Sequence, residues 1–98
     1  MEKLIEDINT VSDEYFALSQ ELAAIAERKG TSWLEIKHGY SLDSNQKENT
    51  PLTNAETDQR WDATPDGRRE AYLKIYLRGL QAKRGALILE YKSNAGIL

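Results

Sequence analysis

Apolar residues recur at alternating intervals of four and three positions near the start of the chain. They are Leu4, Ile8, Val11, Tyr15, Leu18, Leu22 and Ile25. This spacing is typical of an α-helix that buries one face as a coiled-coil-like seam. Arg28 and Lys29 precede Gly30, and a glycine that follows a basic last turn commonly ends a helix. The pattern predicts a first helix over residues 2–29.

A second long helix is predicted over residues 65–94. Thr64, Pro65 and Asp66 supply a capping hydroxyl, a proline at the first helical position and a first-turn acid. The helix has two apolar faces, and a helix that is apolar on two sides needs two neighbours. The small face comprises Ile75, Gly79, Ala82, Ala86 and Leu89. The bulky face comprises Leu73, Leu77, Leu80, Leu87 and Tyr91.

The connecting segment, residues 30–64, is polar and rich in loop-forming residues. Ser32 to Glu35 matches a capping box that would open a short helix closed by Gly39. A strand competes over residues 33–42, because Leu34, Ile36, His38, Tyr40 and Leu42 alternate with mostly polar neighbours. Thr53 to Glu56 forms a second capping box and predicts a short helix that reaches Trp61.

These elements predict a mainly α fold, an antiparallel hairpin of two long helices with one or two short helices between them. Residues 1–98 are expected to form a single helical domain, because half of so short a chain could not bury a core. We expect the first helix to pack on the small face of the last one, with Leu18 against Gly79 and Val11 against Ala86. The bulky face is then the expected oligomer interface, which completes a helical bundle by dimerisation.

Charge is distributed unevenly along the chain, although the net charge is only −3. Residues 1–29 hold seven acids and three bases, whereas residues 64–98 hold three acids and seven bases. This asymmetry favours attraction between the two helices or between copies. The sequence contains no cysteine, no signal-peptide pattern and no membrane-length apolar run, so a cytoplasmic protein is expected.

No catalytic, cofactor-binding or metal site is predicted, and the protein is expected not to be an enzyme. His38 is the single histidine, so the sequence lacks the further histidines that a multi-histidine metal site needs and offers little to pair with His38 in a nucleophilic site. Asp58, Asp62 and Asp66 are four positions apart, but Pro65 interrupts the helix between them. We interpret them as solvated and helix-capping carboxylates.

The segment from Ala26 to Gly39 resembles the turn and second helix of helix-turn-helix DNA-binding proteins. The shared features are a small residue at Ala26, a turn glycine at Gly30, capping hydroxyls and an apolar anchor at Ile36. The resemblance implies that Ser32, Trp33 and Lys37 would face DNA. Residues 1–50 hold ten acids and five bases, a charge that would repel a phosphate backbone.

The leading functional hypothesis is a non-enzymatic protein–protein interaction module, an adaptor or inhibitor such as the accessory proteins of phages and other mobile elements. Trp33, Tyr40 and Trp61 lie in polar, loop-rich sequence and are the predicted anchors for a protein partner. A homodimer or higher homo-oligomer is expected. The alternative is a DNA-binding regulator that uses residues 26–39.

Overall fold

The computed structural model describes residues 2–39 and 51–96, and every regular element in these ranges is helical. Helix α1 spans Glu2–Gly39, α2 spans Asn54–Asp62 and α3 spans Pro65–Asn94. Helices α1 and α3 pack against each other, which confirms the predicted hairpin of two long helices. The chain forms two compact units, Met1–Glu21 with Leu73–Leu98, and Leu22–Tyr72. None of the described helices combines the length and apolar character needed to cross a membrane.

Helix α1 continues through Gly30, so the predicted end of the first helix at residue 29 is wrong. The capping box at Ser32 starts no new helix, and the described part of the proposed strand, residues 33–39, is helical. A glycine inside a helix costs only about 1 kcal/mol relative to alanine. Contacts in the second unit offset this cost, because the Leu52 amide donates to the Lys37 carbonyl at 3.1 Å and Lys37 Nζ donates to the Leu52 carbonyl at 2.8 Å.

In the first unit, α1 and α3 run antiparallel. Arg84 Nε donates to Ser12 Oγ at 2.7 Å, and the Tyr76 hydroxyl donates to Glu14. Leu4 and Val11 of α1 are buried, as the seam predicts. The register between α1 and α3 is close to the predicted one. Val11 lines a cavity together with Leu87, which is the residue after its predicted neighbour, Ala86.

The face of α3 that packs on α1 is the opposite of the one predicted. Leu73, Leu77 and Leu80 of the bulky face are buried, whereas Ile75 and Leu89 of the small face are 72% and 58% exposed. Burying a leucine side chain contributes about 2 kcal/mol, while glycine and alanine have little apolar surface to bury. The bulky face therefore gains more from the one neighbouring helix. A Cβ added at Gly79 would meet nothing within 4 Å, so the predicted contact with Leu18 is wrong.

Two caps in the second unit fix where α2 and α3 begin. Thr53 and Glu56 form the predicted capping box, with the Glu56 amide donating to Thr53 Oγ1 and the Thr53 amide donating to the Glu56 carboxylate. At α3, the Gly67 amide donates to Thr64 Oγ1 at 3.0 Å, and the Thr64 hydroxyl donates to the Trp61 carbonyl at 2.6 Å. The predicted start of α3 at Pro65 is confirmed.

The tight turn between α2 and α3 requires a glycine at position 67. A Cβ there would lie 1.9 Å from the Trp61 carbonyl oxygen, which is a backbone atom that a rotamer change cannot move. We therefore expect Gly67→Ala to lower the free energy of unfolding by about 3 kcal/mol. Gly30→Ala is the matched control, because position 30 is helical and open, and it should raise that free energy by about 0.5–1 kcal/mol. Urea unfolding followed by circular dichroism measures both changes. Equal changes in the free energy of unfolding for the two variants would contradict the close approach of position 67 to the Trp61 carbonyl.

Candidate partner-binding site

Trp61 is a core residue, so its predicted role as a partner-binding anchor is wrong. Its side chain is 1% exposed, and its Nε1 donates to the Glu70 carboxylate at 3.2 Å. Lys29 Nζ donates to the same carboxylate oxygen at 3.2 Å and lies 5.5 Å from the centroid of the Trp61 ring. The buried carboxylate thus has two charge-assisted partners, one from α1 and one from α2. This cluster holds the three helix segments of the second unit together.

Trp33 is half-buried and hydrogen-bonded within the chain. Its Nε1 donates to Asp58 Oδ1 at 2.8 Å, and Lys37 Nζ lies 5.4 Å from its ring centroid. A second hydrogen bond from Lys37 Nζ reaches Asn54 Oδ1 at 2.8 Å. These bonds fasten the end of α1 to α2. A partner-binding role for Trp33 stays a prediction, and Tyr40 lies outside the described residues.

The segment that resembles a helix-turn-helix motif contains no turn. Ala26 to Gly39 lies inside α1, so no second helix leaves the first at an angle, as that motif requires. Two of the side chains that the resemblance assigned to DNA, Trp33 and Lys37, bond instead to residues 52–58. The geometry therefore gives no support to this mode of DNA binding.

The predicted oligomer interface divides into buried and half-buried residues. Leu73, Leu77 and Leu80 are buried within the chain and present no surface to another copy, so this part of the prediction is wrong. Leu87 and Tyr91 are half-buried near the end of α3. Both line surface cavities between α1 and α3, and an intermolecular role for them stays a prediction.

A groove runs between α1 and α3 in the first unit. One cavity, of about 380 Å³, is lined by Ile5, Ile8, Asn9, Arg84, Ile88 and Tyr91. A second, of about 340 Å³, is lined by Ser12, Tyr15, Phe16, Gln81 and Arg84. Arg84 belongs to both, so the two cavities are halves of one surface, which we call the α1/α3 groove.

The rim of the α1/α3 groove is apolar and its centre is positively charged. Phe16 is 64% exposed and Ile5 is 42% exposed. Arg84 bonds to Ser12 through Nε, and no carboxylate of residues 2–39 or 51–96 forms an ion pair with its guanidinium. An exposed apolar strip around an unneutralised cation is suited to an amphipathic helix that carries an acid.

Phe16 and Ile5 were missed by sequence reasoning because neither belongs to the heptad seam. Each directly follows a seam residue, Tyr15 and Leu4, and so occupies the edge of the apolar face. The sequence signal that could have identified them is a large apolar residue at the edge of a helix seam. They widen the apolar face beyond what one neighbouring helix covers.

The polar residues weighed as catalytic or metal-binding groups do not come together. Across the described parts of the chain, no group of three or more histidine and carboxylate side chains is placed to hold a metal ion. Asp58 accepts the Trp33 bond, whereas Asp66 is paired with Arg28.

A search for similar proteins found no matching family, no matching curated protein and no matching solved structure.

Arg28 and Asp66 form a two-point ion pair between α1 and α3 in the second unit. The guanidinium donates through Nε at 2.9 Å and through Nη2 at 3.0 Å. These hydrogen bonds, together with the positive charge of Arg28, hold the pKa of the Asp66 carboxyl below its ordinary value. A carboxyl whose pKa is lower in the folded state stabilises the fold above its unfolded pKa, about 3.9, and loses that contribution as the pH falls through the folded pKa.

Arg28→Gln should therefore raise the pKa of Asp66 toward its ordinary value, because glutamine cannot make the two-point hydrogen bond of the guanidinium and carries no charge. We expect the stability that this ion pair contributes to shrink as the pH falls below about 4 and to be absent once Asp66 is protonated. A carbon-detected NMR titration of the Asp66 carboxyl measures the pKa directly. Arg78→Gln, on the other unit's part of α3, is the control and should leave it unchanged. An identical Asp66 titration in the wild type and in Arg28→Gln would refute the assignment.

Proposed function

We propose that the protein is a non-enzymatic protein–protein interaction module, an adaptor or inhibitor, that binds an amphipathic helix of a protein partner in the α1/α3 groove. The observation that carries this proposal is the exposure of Phe16, at 64%, on the rim of a groove between two packed helices. A third helix laid in such a groove completes a bundle and removes the apolar rim from water.

The groove also specifies the chemistry of the helix that fits it. Its two cavities have apolar residues at their outer ends, Ile5 and Phe16, and share Arg84 between them. Ile5 and Phe16 lie about three turns apart on α1, so a matching helix places two apolar anchors about three turns apart and a carboxylate between them. The carboxylate would pair with the guanidinium, and a two-point pair of this kind adds specificity as well as affinity.

The contacts within the chain favour this groove over the aromatic residues of the connecting segment. Trp61 is buried and Trp33 is hydrogen-bonded to Asp58, whereas Phe16 presents most of its ring to solvent. Rigid aromatic side chains on packed helices are typical anchors of interfaces. The expectation that the module is an accessory protein of a phage or other mobile element stays a prediction.

Selection from a displayed library of helical peptides tests the groove directly. We expect the enriched peptides to share two apolar anchors and an acid, and to bind Phe16→Asp at least about 30-fold more weakly, which corresponds to ~2 kcal/mol for the loss of an aromatic anchor. Ala17→Asp is the matched control, because residue 17 is the exposed neighbour of Phe16 and lines neither half of the groove.

Arg84→Glu should change the selected peptides from acidic to basic at the central position, since the charge that they meet is reversed. Thermal unfolding by circular dichroism checks that each variant is folded, and an exposed substitution should shift stability by no more than about 0.5 kcal/mol. The proposal fails if no helical peptide is enriched, or if Phe16→Asp and Ala17→Asp bind the enriched peptides equally well.

A further inference from the structure

The side of α3 that faces away from α1 carries a second apolar surface. It consists of Ile75, Gly79, Ala82, Ala86 and Leu89, which we call the outer stripe. All five residues are exposed, with Ile75 at 72% and Leu89 at 58%. Their spacing of four, three, four and three positions is the spacing of a coiled-coil seam. The outer stripe lies on the helix face opposite Leu73, Leu77 and Leu80, so it is separate from the α1/α3 groove.

We propose that the outer stripe binds the outer stripe of a second copy of this chain, with the two α3 helices antiparallel about a two-fold axis between Gly79 and Ala82. The four positions nearest this axis, Ile75, Gly79, Ala82 and Ala86, are spaced four, three and four apart. That spacing reads the same in both directions, as an isologous contact requires. Ile75 then packs on Ala86 of the second copy, and Gly79 packs on Ala82 of the second copy. Large side chains meet small ones, and the glycine at the crossing lets the two backbones approach closely.

The charges beside the outer stripe favour this antiparallel orientation. Arg78 lies on one flank of the stripe and Lys83 on the other. In a parallel pair, heptad geometry would bring Arg78 of each copy against Lys83 of the other, which is a repulsion repeated on both sides. In the antiparallel pair each flank meets the same flank of the second copy, so Arg78 lies nearest Gly85 of the second copy and Lys83 lies nearest Tyr76 of the second copy. Neither cation then faces a like charge.

The small residues at the centre of the stripe also favour a helix as the occupant. A Cβ added at Gly79 or at Gly85 would meet no atom of the chain within 4 Å, so this part of α3 is open to close approach. Ala82 and Ala86 are exposed as well.

The α1/α3 groove stays open in the resulting dimer, which would carry two grooves. This inference uses a different face of the hairpin and does not rest on the proposed function.

Cysteine cross-linking tests the contact and its direction, because the chain has no cysteine of its own. Ile75→Cys and Ala86→Cys are prepared with tags of different mass, mixed and oxidised. We expect a disulfide-linked heterodimer from the mixture and no cross-linked dimer from either variant alone. A parallel pair would instead cross-link each variant with itself, and that result would overturn the proposal.

Gln81→Cys is the matched control, because residue 81 is level with the proposed two-fold axis but lines the α1/α3 groove. We expect no cross-link from it alone. A Gln81→Cys dimer would show that copies associate through the groove face, and would overturn the inference in favour of that arrangement.

Sedimentation equilibrium supplies a measurement that needs no cysteine. The wild-type chain should be a dimer at micromolar concentration, and Ala82→Glu, which places two carboxylates at the crossing, should raise the dissociation constant at least about tenfold. Ala17→Glu on α1 should leave it unchanged. A monomeric wild type, or equal dissociation constants for Ala82→Glu and the wild type, would overturn the proposal. The response of peptide binding to Phe16→Asp is unaffected by either result, so the two proposals fail separately.

Discussion

Helix α3 has two apolar faces and packs on one long helix of the same chain, and this constraint determines both the fold and its exposed surfaces. The face richer in leucine is buried, with Leu73 completely inaccessible. The face with glycine and alanine at its centre remains in water, where Ile75 and Leu89 are exposed. The hydrophobic effect scales with buried apolar area, so the bulky face gains more from α1. The small face is exposed because the bulky face occupies the contact with α1.

Two surfaces result, and they suit different occupants. The α1/α3 groove has an exposed phenylalanine, Phe16, and a guanidinium at its centre, which favours a helix with apolar anchors and an acid. The outer stripe is narrow, regularly spaced and small at its middle, which favours close crossing by an identical helix. In the second unit, the buried Glu70 carboxylate is satisfied by Trp61 and Lys29, so that unit's central polar cluster is an internal structural feature.

Features that depend on local physical chemistry could be predicted from the sequence. The caps at Thr53 and Thr64 were identified because a hydroxyl three positions before an amide can satisfy it without help from the rest of the fold. The continuation of α1 through Gly30 could not, since it depends on the contacts of Lys37 with residues distant in sequence. The burial of Trp61 was missed for the same reason, because its partners Glu70 and Lys29 come from two other helices.

The outer stripe of α3 faces away from α1, and in our proposal a second copy of the chain covers it. Carbene footprinting read out by mass spectrometry at nanomolar and at micromolar protein concentration tests both parts together. We expect Ile75 and Leu89 to be labelled in the dilute sample and protected in the concentrated one, with Leu73 and Leu77 protected in both. Protection of Ile75 at every concentration would mean that the small face packs on α1, and labelling at every concentration would mean that no second copy covers it.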